Sequence, residues 1–209
     1  MPVRIKFCGI TRGEDAQAAA SLGADAIGFV FYAPSPRAIT LAAAAAIARD
    51  LPPFLTKVGL FVNAAEHEVE AACDTVGLDV VQYHGDETPA DCARAPRPWI
   101  KAIRVRPELD LAAECARYAD ASAWLFDSYD ERLYGGSGRP FDWRLLPGTH
   151  RRPIVLAGGL DADNVALAIR RTAPYAVDVS GGIEAAKGIK DHDKMRKFIA
   201  EVKRVERQT

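Results

Sequence analysis

Two residues suited to proton transfer, Cys8 and Asp127, each follow a short apolar run typical of a buried β-strand. Cys8 comes after residues 3–7 and precedes Gly9, whereas Asp127 comes after residues 124–126. A free cysteine is commonly an inert buried thiol, and an aspartate after a strand is commonly a turn residue. However, a thiolate base and a carboxylic acid that flank one ligand can move protons within a single substrate. We therefore treat both as candidate catalytic residues.

The elements that must position these residues alternate along the whole chain. Apolar or β-branched runs predict eight strands, at residues 3–7, 25–31, 57–61, 80–82, 99–103, 123–126, 154–156 and 176–179. Helical patterns lie near residues 15–22, 41–50, 66–76, 89–95, 111–119, 142–146, 162–171 and 193–205. Thr11 and Glu14 have the spacing of a capping box, which predicts the start of the first helix.

This alternation predicts parallel strands joined by right-handed crossovers. A doubly wound open sheet and a (β/α)8 barrel both satisfy it, and eight strands favour the barrel. Residues 8–13 do not form the G-x-G-x-x-G fingerprint of a dinucleotide-binding fold. No linker or change in composition divides the chain, so we predict an α/β protein with a single TIM-barrel domain over residues 1–209. In such a barrel, Cys8 and Asp127 would flank a ligand at the carboxyl ends of strands one and six.

Glycine-rich segments follow the last two predicted strands, at residues 157–160 and 178–182. Such glycines can form tight turns, but their backbone N–H groups can also approach an anion closely. The loops after strands seven and eight are the usual phosphate site of this fold, so we predict a phosphorylated small-molecule ligand. The polar loop over residues 128–140 is either a connector or, as we favour, a lid that closes over this ligand.

Composition and charge exclude several classes of protein. The net charge of -1 gives no electrostatic footprint for nucleic acid or an anionic membrane surface. No apolar run is long enough to cross a bilayer, and the N-terminus lacks the pattern of a signal peptide. The four cysteines contain no C-x-x-C pair, so we predict reduced thiols and a cytoplasmic location.

The chain resembles the phosphoribosylanthranilate isomerases of tryptophan biosynthesis, which are (β/α)8 barrels. The resemblance includes KFCGIT at residues 6–11 and DVSGGIE at residues 178–184. Further matching segments are residues 34–37, 58–63, 82–85, 126–127, 135–138, 141–143, 156–160, 164–165 and 188–191. The ordered set of segments, rather than any single one, carries the resemblance.

The resemblance implies an Amadori rearrangement of N-(5'-phosphoribosyl)anthranilate to 1-(2-carboxyphenylamino)-1-deoxyribulose 5-phosphate. It implies that Asp127 is the general acid that opens the furanose ring and that Cys8 is the base that removes the C2' proton. Neither transfer requires a metal or an organic cofactor. The substrate-binding and phosphate-binding residues implied by the resemblance are Arg37, Gln82, His84, Gly158, Gly159, Ser180 and Gly181.

Two alternatives remain at this point. One is a sugar-phosphate isomerase of histidine biosynthesis, a family that typically uses carboxylates at both acid–base positions, unlike Cys8 here. The other is a barrel that binds a phosphorylated ligand without converting it, for which neither Cys8 nor Asp127 would be needed. The sequence does not distinguish a monomer from a homodimer, because the outer helices of a barrel are apolar in both.

Overall fold

A computed structural model describes residues 2–128, 140–146 and 151–207, and the predicted barrel is present in it. Eight parallel strands form a closed ring in the order β1 to β8, with β1 paired to β8. The strands are β1 Arg4–Cys8, β2 Ala26–Phe31, β3 Thr56–Phe61, β4 Val80–Tyr83, β5 Trp99–Val105, β6 Ala123–Ser128, β7 Ile154–Leu156 and β8 Ala176–Val179. The fold prediction is therefore confirmed, and the open-sheet alternative is wrong.

Helices follow most strands and cover the outside of the ring. They are α1 Gly13–Leu22, α2 Leu41–Arg49, α3 Glu66–Val76, α4 Pro89–Cys92, α5 Leu111–Arg117, α6 Val165–Thr172 and α7 His192–Glu206. Two 3-10 turns, Trp143–Leu145 and Gly181–Ile183, and a small antiparallel hairpin of β9 Glu184–Ala186 and β10 Ile189–Lys190 complete the described elements. The hairpin, which was not predicted from the sequence, adds side chains beside the mouth of the barrel.

Alternate strand residues face opposite sides of the barrel wall, as the two-residue period of a strand requires. Large apolar side chains such as Phe7 and Phe126 face outward and are completely buried, with Phe7 edge-on to Phe198 of α7. The small apolar cluster inside the ring consists of Ala102, Ala123, Leu125, Val155, Ala157 and Ala176. Because Cys8 and Asp127 directly follow Phe7 and Phe126, both point into the barrel.

Four local predictions differ from the structure or cannot be compared with it. Segment 89–95 contains only the single turn of α4, and segment 142–146 contains a 3-10 turn instead of a helix. The capping box is wrong, because Arg12 is the N-cap of α1 and makes no side-chain cap. The hydroxyl of Thr11 instead donates to the carbonyl of Gly188 in the hairpin. Most of the proposed lid, residues 129–139, lies outside the described residues.

Among the residues that the structure describes, no helix combines the length and the apolar character needed to span a membrane.

Candidate active site

The predicted acid and base lie at the same end of the barrel, on strands three places apart around the ring. Cys8 is the last residue of β1, and Asp127 is the next-to-last residue of β6. Both are almost fully buried, with exposed fractions of 6% and 5%. Strand β6 runs two residues further than the sequence predicted, so Asp127 is held by the β-ladder through its register partner Arg104. A rigid strand, and not a turn, therefore fixes the carboxylate.

Asp127 is flanked by its neighbour Ser128 on one side and by His84 on the other. Its Oδ1 accepts a 2.8 Å hydrogen bond from the backbone N–H of Ser128. Its Oδ2 lies 3.2 Å from Nε2 of His84, although the angle is not that of a hydrogen bond. The side-chain amide of Gln82 donates to Nδ1 of His84 at 3.2 Å, which leaves the proton of a neutral imidazole on Nε2, facing Asp127.

Gln82 and His84 are thus both brought to the site, as predicted, on the inward face of β4 and just beyond its end. Their geometry is that of an orienting pair, with Gln82 holding the ring of His84 against Asp127. Within the described residues, Oε1 of the buried Gln82 accepts no hydrogen bond. The strand therefore presents one polar oxygen and one imidazole N–H to the inside of the barrel.

Cys8 lies over a buried ion pair. Nζ of Lys6, two residues earlier on β1, is 2.9 Å from Oδ2 of Asp178 on β8. Burial raises the pKa of the Cys8 thiol above its ordinary value, and the ammonium of Lys6 acts in the opposite direction. The net direction is upward, which makes the thiolate, once formed, a stronger base than that of an exposed cysteine.

Arg37, in the loop after β2, is held by Glu184 of the hairpin. Its Nε and Nη2 donate to the two carboxylate oxygens at 2.7 and 2.8 Å, which is a bidentate pair. This pair raises the pKa of Arg37, and the charges of Cys8 and Asp127 raise it further. Arg37 therefore lies within electrostatic range of both candidate catalytic residues, with Nη1 outside the pair with Glu184.

The two predicted phosphate loops pack directly against each other. Gly158 and Gly159 have φ values of +83° and +63°, which a side chain would strain. A Cβ at Gly182 would lie 2.0 Å from the carbonyl oxygen of Leu160, so the loop after β8 reaches the loop after β7 without intervening space. Ser180 and the 3-10 turn at Gly181–Ile183 complete this rim, and Nη2 of Arg37 borders it.

The structure adds four charged residues that were not assigned to the site from the sequence. They are Lys6, Asp178, Glu184 and Lys190, and the ammonium of Lys190 lies 3.0 Å from Glu184 and 3.2 Å from the carbonyl of Ser180. Burial lowers the pKa of Lys190, and Glu184 only partly opposes this. The two-residue period could have indicated two of them, because Lys6 precedes Cys8 by two positions and Asp178 precedes Ser180 by two.

Within residues 2–128, 140–146 and 151–207, no group of three or more His, Cys, Asp and Glu side chains is arranged to hold a metal ion.

Comparison with known proteins places this arrangement in one family. The family model for N-(5'phosphoribosyl)anthranilate (PRA) isomerase matches residues 5–201. The chain is 60% identical to the N-(5'-phosphoribosyl)anthranilate isomerase of Pseudomonas putida strain F1 over 201 residues, which is 96% of this chain and 98% of the relative.

Solved structures agree with this similarity. A phosphoribosyl anthranilate isomerase in complex with reduced 1-(o-carboxyphenylamino)-1-deoxyribulose 5-phosphate superposes with a TM-score of 0.84 at 38% identity, covering 96% of this chain and 98% of the other. Monomers of the dimeric phosphoribosylanthranilate isomerase from Thermotoga maritima superpose with a TM-score of 0.86 at 39% identity, again covering 96% and 98%.

Proposed function

The chain belongs to the N-(5'-phosphoribosyl)anthranilate isomerase family, and we propose that Cys8 and Asp127 are the base and the acid of its reaction. The protein is an aldose–ketose isomerase of tryptophan biosynthesis. This membership decides against the two alternatives, the histidine-pathway isomerase and the non-catalytic barrel.

In the first step, the proposed acid is Asp127. Its carboxylic acid donates a proton to the furanose ring oxygen, the bond between C1' and that oxygen breaks, and the nitrogen lone pair forms the C1'–N double bond of a cationic Schiff base. The fixed position of Asp127 on β6 supports this role, because a general acid must be held within hydrogen-bond reach of its substrate atom. The N–H of His84 faces the same carboxylate and would stabilise it once the proton has left.

In the second step, the proposed base is Cys8. Its thiolate removes the C2' proton, the C–H electron pair forms a double bond between C1' and C2', and the electrons of the C=N bond return to nitrogen. The resulting enolamine then tautomerises to the ketose. The cationic Schiff base itself favours the thiolate, since an opposite charge nearby stabilises the ionised form of a buried thiol. No covalent bond to sulfur is formed.

We propose that the two ends of the substrate are held by the rim of the barrel. The left-handed backbone of Gly158 and Gly159, next to the loop of Ser180 and Gly181, supports a phosphate site there. The contact of Gly182 with Leu160 brings the two loops together. Nη1 of Arg37, outside the bidentate pair with Glu184, is suited to the anthranilate carboxylate. The ligand named for the related complex carries both a phosphate and a carboxyphenyl group, which is the chemistry these two subsites would bind.

The observation that carries these roles is that the thiol and the carboxyl group point into the barrel at the same end, from strands three places apart around the ring. The test measures the loss of substrate fluorescence with freshly made N-(5'-phosphoribosyl)anthranilate. Cys8→Ala and Asp127→Asn should each lower kcat by a factor of about 10² to 10⁴, as expected for loss of a general base or acid.

The matched control is Cys115→Ala, which removes an equally buried thiol from α5 on the outside of the barrel. It should retain wild-type kcat. Full activity of Cys8→Ala would exclude Cys8 as the base without affecting the family assignment.

We also propose that the protein forms a homodimer and that residues 1–209 form one domain. The Thermotoga maritima relative is described as dimeric, and Phe54 of this chain exposes 97% of its surface after two prolines. Light scattering of the native protein and of Phe54→Glu tests the assembly, and a monomeric wild-type protein would exclude the proposed dimer.

The cytoplasmic location and the closing of the loop 128–140 stay predictions.

A further inference from the structure

We propose that the buried ion pair of Lys6 and Asp178 is a positioning device that makes Cys8 reactive, with the Lys6 ammonium stabilising the thiolate. Lys6 would act through Cys8 and not on the substrate, so it is a positioning residue. The inference rests on the proposed role of Cys8 as the base. It extends that role by naming the source of the positive charge on which a buried thiolate depends.

The topology places Lys6 directly below Cys8 inside the barrel. The two residues are separated by one position on β1 and therefore point to the same side of the wall. Asp178 is the register partner of Lys6 on β8, at the point where the ring closes. Lys6 and Asp178 expose only 6% and 7% of their side chains, so their charges are poorly screened by water.

The distance between the ammonium and the thiol is limited by Gly28 on β2. A Cβ at Gly28 would lie 2.9 Å from Sγ of Cys8 and 3.1 Å from Nζ of Lys6. Because both atoms border the same point, they are at most about 6 Å apart, a separation at which an opposite charge favours the ionised form. The absence of a side chain at Gly28 allows this approach.

Asp178 keeps the lysine charged at this depth. Burial lowers the pKa of Lys6, but the charges and hydrogen bonds of Asp178 and of an ionised Cys8 together outweigh burial, and the net direction is upward. Oδ1 of Asp178 has no hydrogen-bond partner within the described residues. Its Oδ2 accepts a hydrogen bond from the ammonium of Lys6. A buried ion pair contributes little net stability, because the desolvation of its two charges offsets their attraction. A functional role would explain why the pair is present.

Other charged groups also face Cys8. Asp178 opposes the thiolate, but its influence on the pKa of Cys8 is smaller than that of Lys6. Lys190 and Arg37 lie on the rim, and both bind the carboxylate of Glu184, which offsets their charge. Lys6 is therefore the cation whose removal should change the reactivity of Cys8 most.

The experiment measures the rate of alkylation of Cys8 by iodoacetamide as a function of pH, with peptide mass spectrometry to identify the modified thiol. This readout does not depend on activity. Cys115 is an internal reference in the same molecule, because burial raises its pKa to about 12. The test variant is the double substitution Lys6→Met with Asp178→Asn, since replacing both members of a buried pair by neutral groups is often neutral for stability.

The matched control is the double substitution Lys101→Met with Glu87→Gln. That pair is at least as deeply buried, with a separation of 2.7 Å, but lies on the outer face of β5. We expect the test variant to slow alkylation of Cys8 at pH 7 at least about tenfold, with the rates converging at high pH. The control should leave the rate of Cys8 unchanged, and Lys6→Arg, which keeps the charge, should stay near the wild-type rate.

An unchanged pH profile of Cys8 in the test variant would overturn the proposal, as would an equal slowing in the control. The catalytic role of Cys8 is tested separately by Cys8→Ala. If that variant stays active, the role of Cys8 as base fails, whereas the alkylation profile still decides whether Lys6 controls the thiol.

Discussion

Replacing Gly158 with alanine should disable the proposed acid while leaving the fold intact. Gly158 lies after β7 with a φ of +83° and is packed against the end of β6. A Cβ there would be 2.6 Å from the backbone nitrogen of Ser128 and 2.9 Å from Oδ1 of Asp127. The added methyl group therefore meets the acid and the backbone that holds it.

The size of the effect follows from these distances. Ordinary contact with a Cβ begins at 3.4 Å, so the backbone of Ser128 and the loop must separate by about 0.8 Å. A displacement of about 1 Å in a catalytic group can lower the rate about a hundredfold. The positive φ adds about 1 to 2 kcal/mol of strain for any residue with a Cβ. We expect kcat to fall about a hundredfold.

Gly77→Ala is the control variant, because it introduces backbone strain without a steric clash. Gly77 ends α3 with a φ of +68°, and a Cβ added there would meet nothing within 4 Å. Gly77→Ala should lower Tm by roughly 2 to 8 °C, because 1 kcal/mol corresponds to about 2 to 4 °C in a chain of this size. Gly158→Ala, which adds a steric clash, should lower Tm at least as much. Only Gly158→Ala should lower kcat.

The assay combines thermal unfolding with steady-state turnover of N-(5'-phosphoribosyl)anthranilate. In an Asp127→Asn background, Gly158→Ala should have little further effect on kcat, since both changes act on the same group. A rise in KM alone would assign the effect to phosphate binding. Wild-type turnover of Gly158→Ala, or an equal loss in Gly77→Ala, would refute the reasoning.

Three further variants test the remaining parts of the site and its support. Glu184→Gln should raise KM about tenfold, because Arg37 loses the charged partner that orients it; an unchanged KM would contradict this. Burial would raise the pKa of the fully buried Asp15, but the hydrogen bonds from Arg12, the Lys190 backbone and His192 together lower it. Its contribution to stability is thus present above the ordinary carboxylate pKa and lost as the pH falls, so Asp15→Asn should flatten the decline of Tm in acid. Gly182→Ala, whose Cβ would lie 2.0 Å from a carbonyl oxygen of the neighbouring loop, should raise KM more than it lowers kcat, and the reverse pattern would count against a phosphate site there.

The barrel could be predicted from the sequence because its signals are local. Each strand is a short apolar run and each helix an amphipathic pattern, so their alternation and number are readable without knowledge of contacts. Cys8 and Asp127 could be found for the same reason, since each directly follows an apolar run. Segment 142–146 shows the limit, because a pattern this short predicts a helix as readily as a single turn.

Residues whose partners are distant in the chain could not be predicted in this way. Thr11 has the spacing of a cap but binds Gly188, which is 177 positions away. Arg37 and Glu184 are separated by 147 positions, and Lys6 and Asp178 by 172. These pairs exist because closure of the ring brings β1 and the loops after β1 and β2 beside β8 and the hairpin that follows it.

The order of the elements, the barrel and the chemistry available at the strand ends could therefore all be read from the chain alone. Folding in three dimensions sets which charged groups pair around that chemistry: Asp178 with Lys6 below the thiol, Glu184 with Arg37, and His84 with the carboxylate of Asp127. The physical reason is that backbone periodicity is a property of neighbouring residues, whereas the electrostatic environment of a buried group depends on every strand that packs around it.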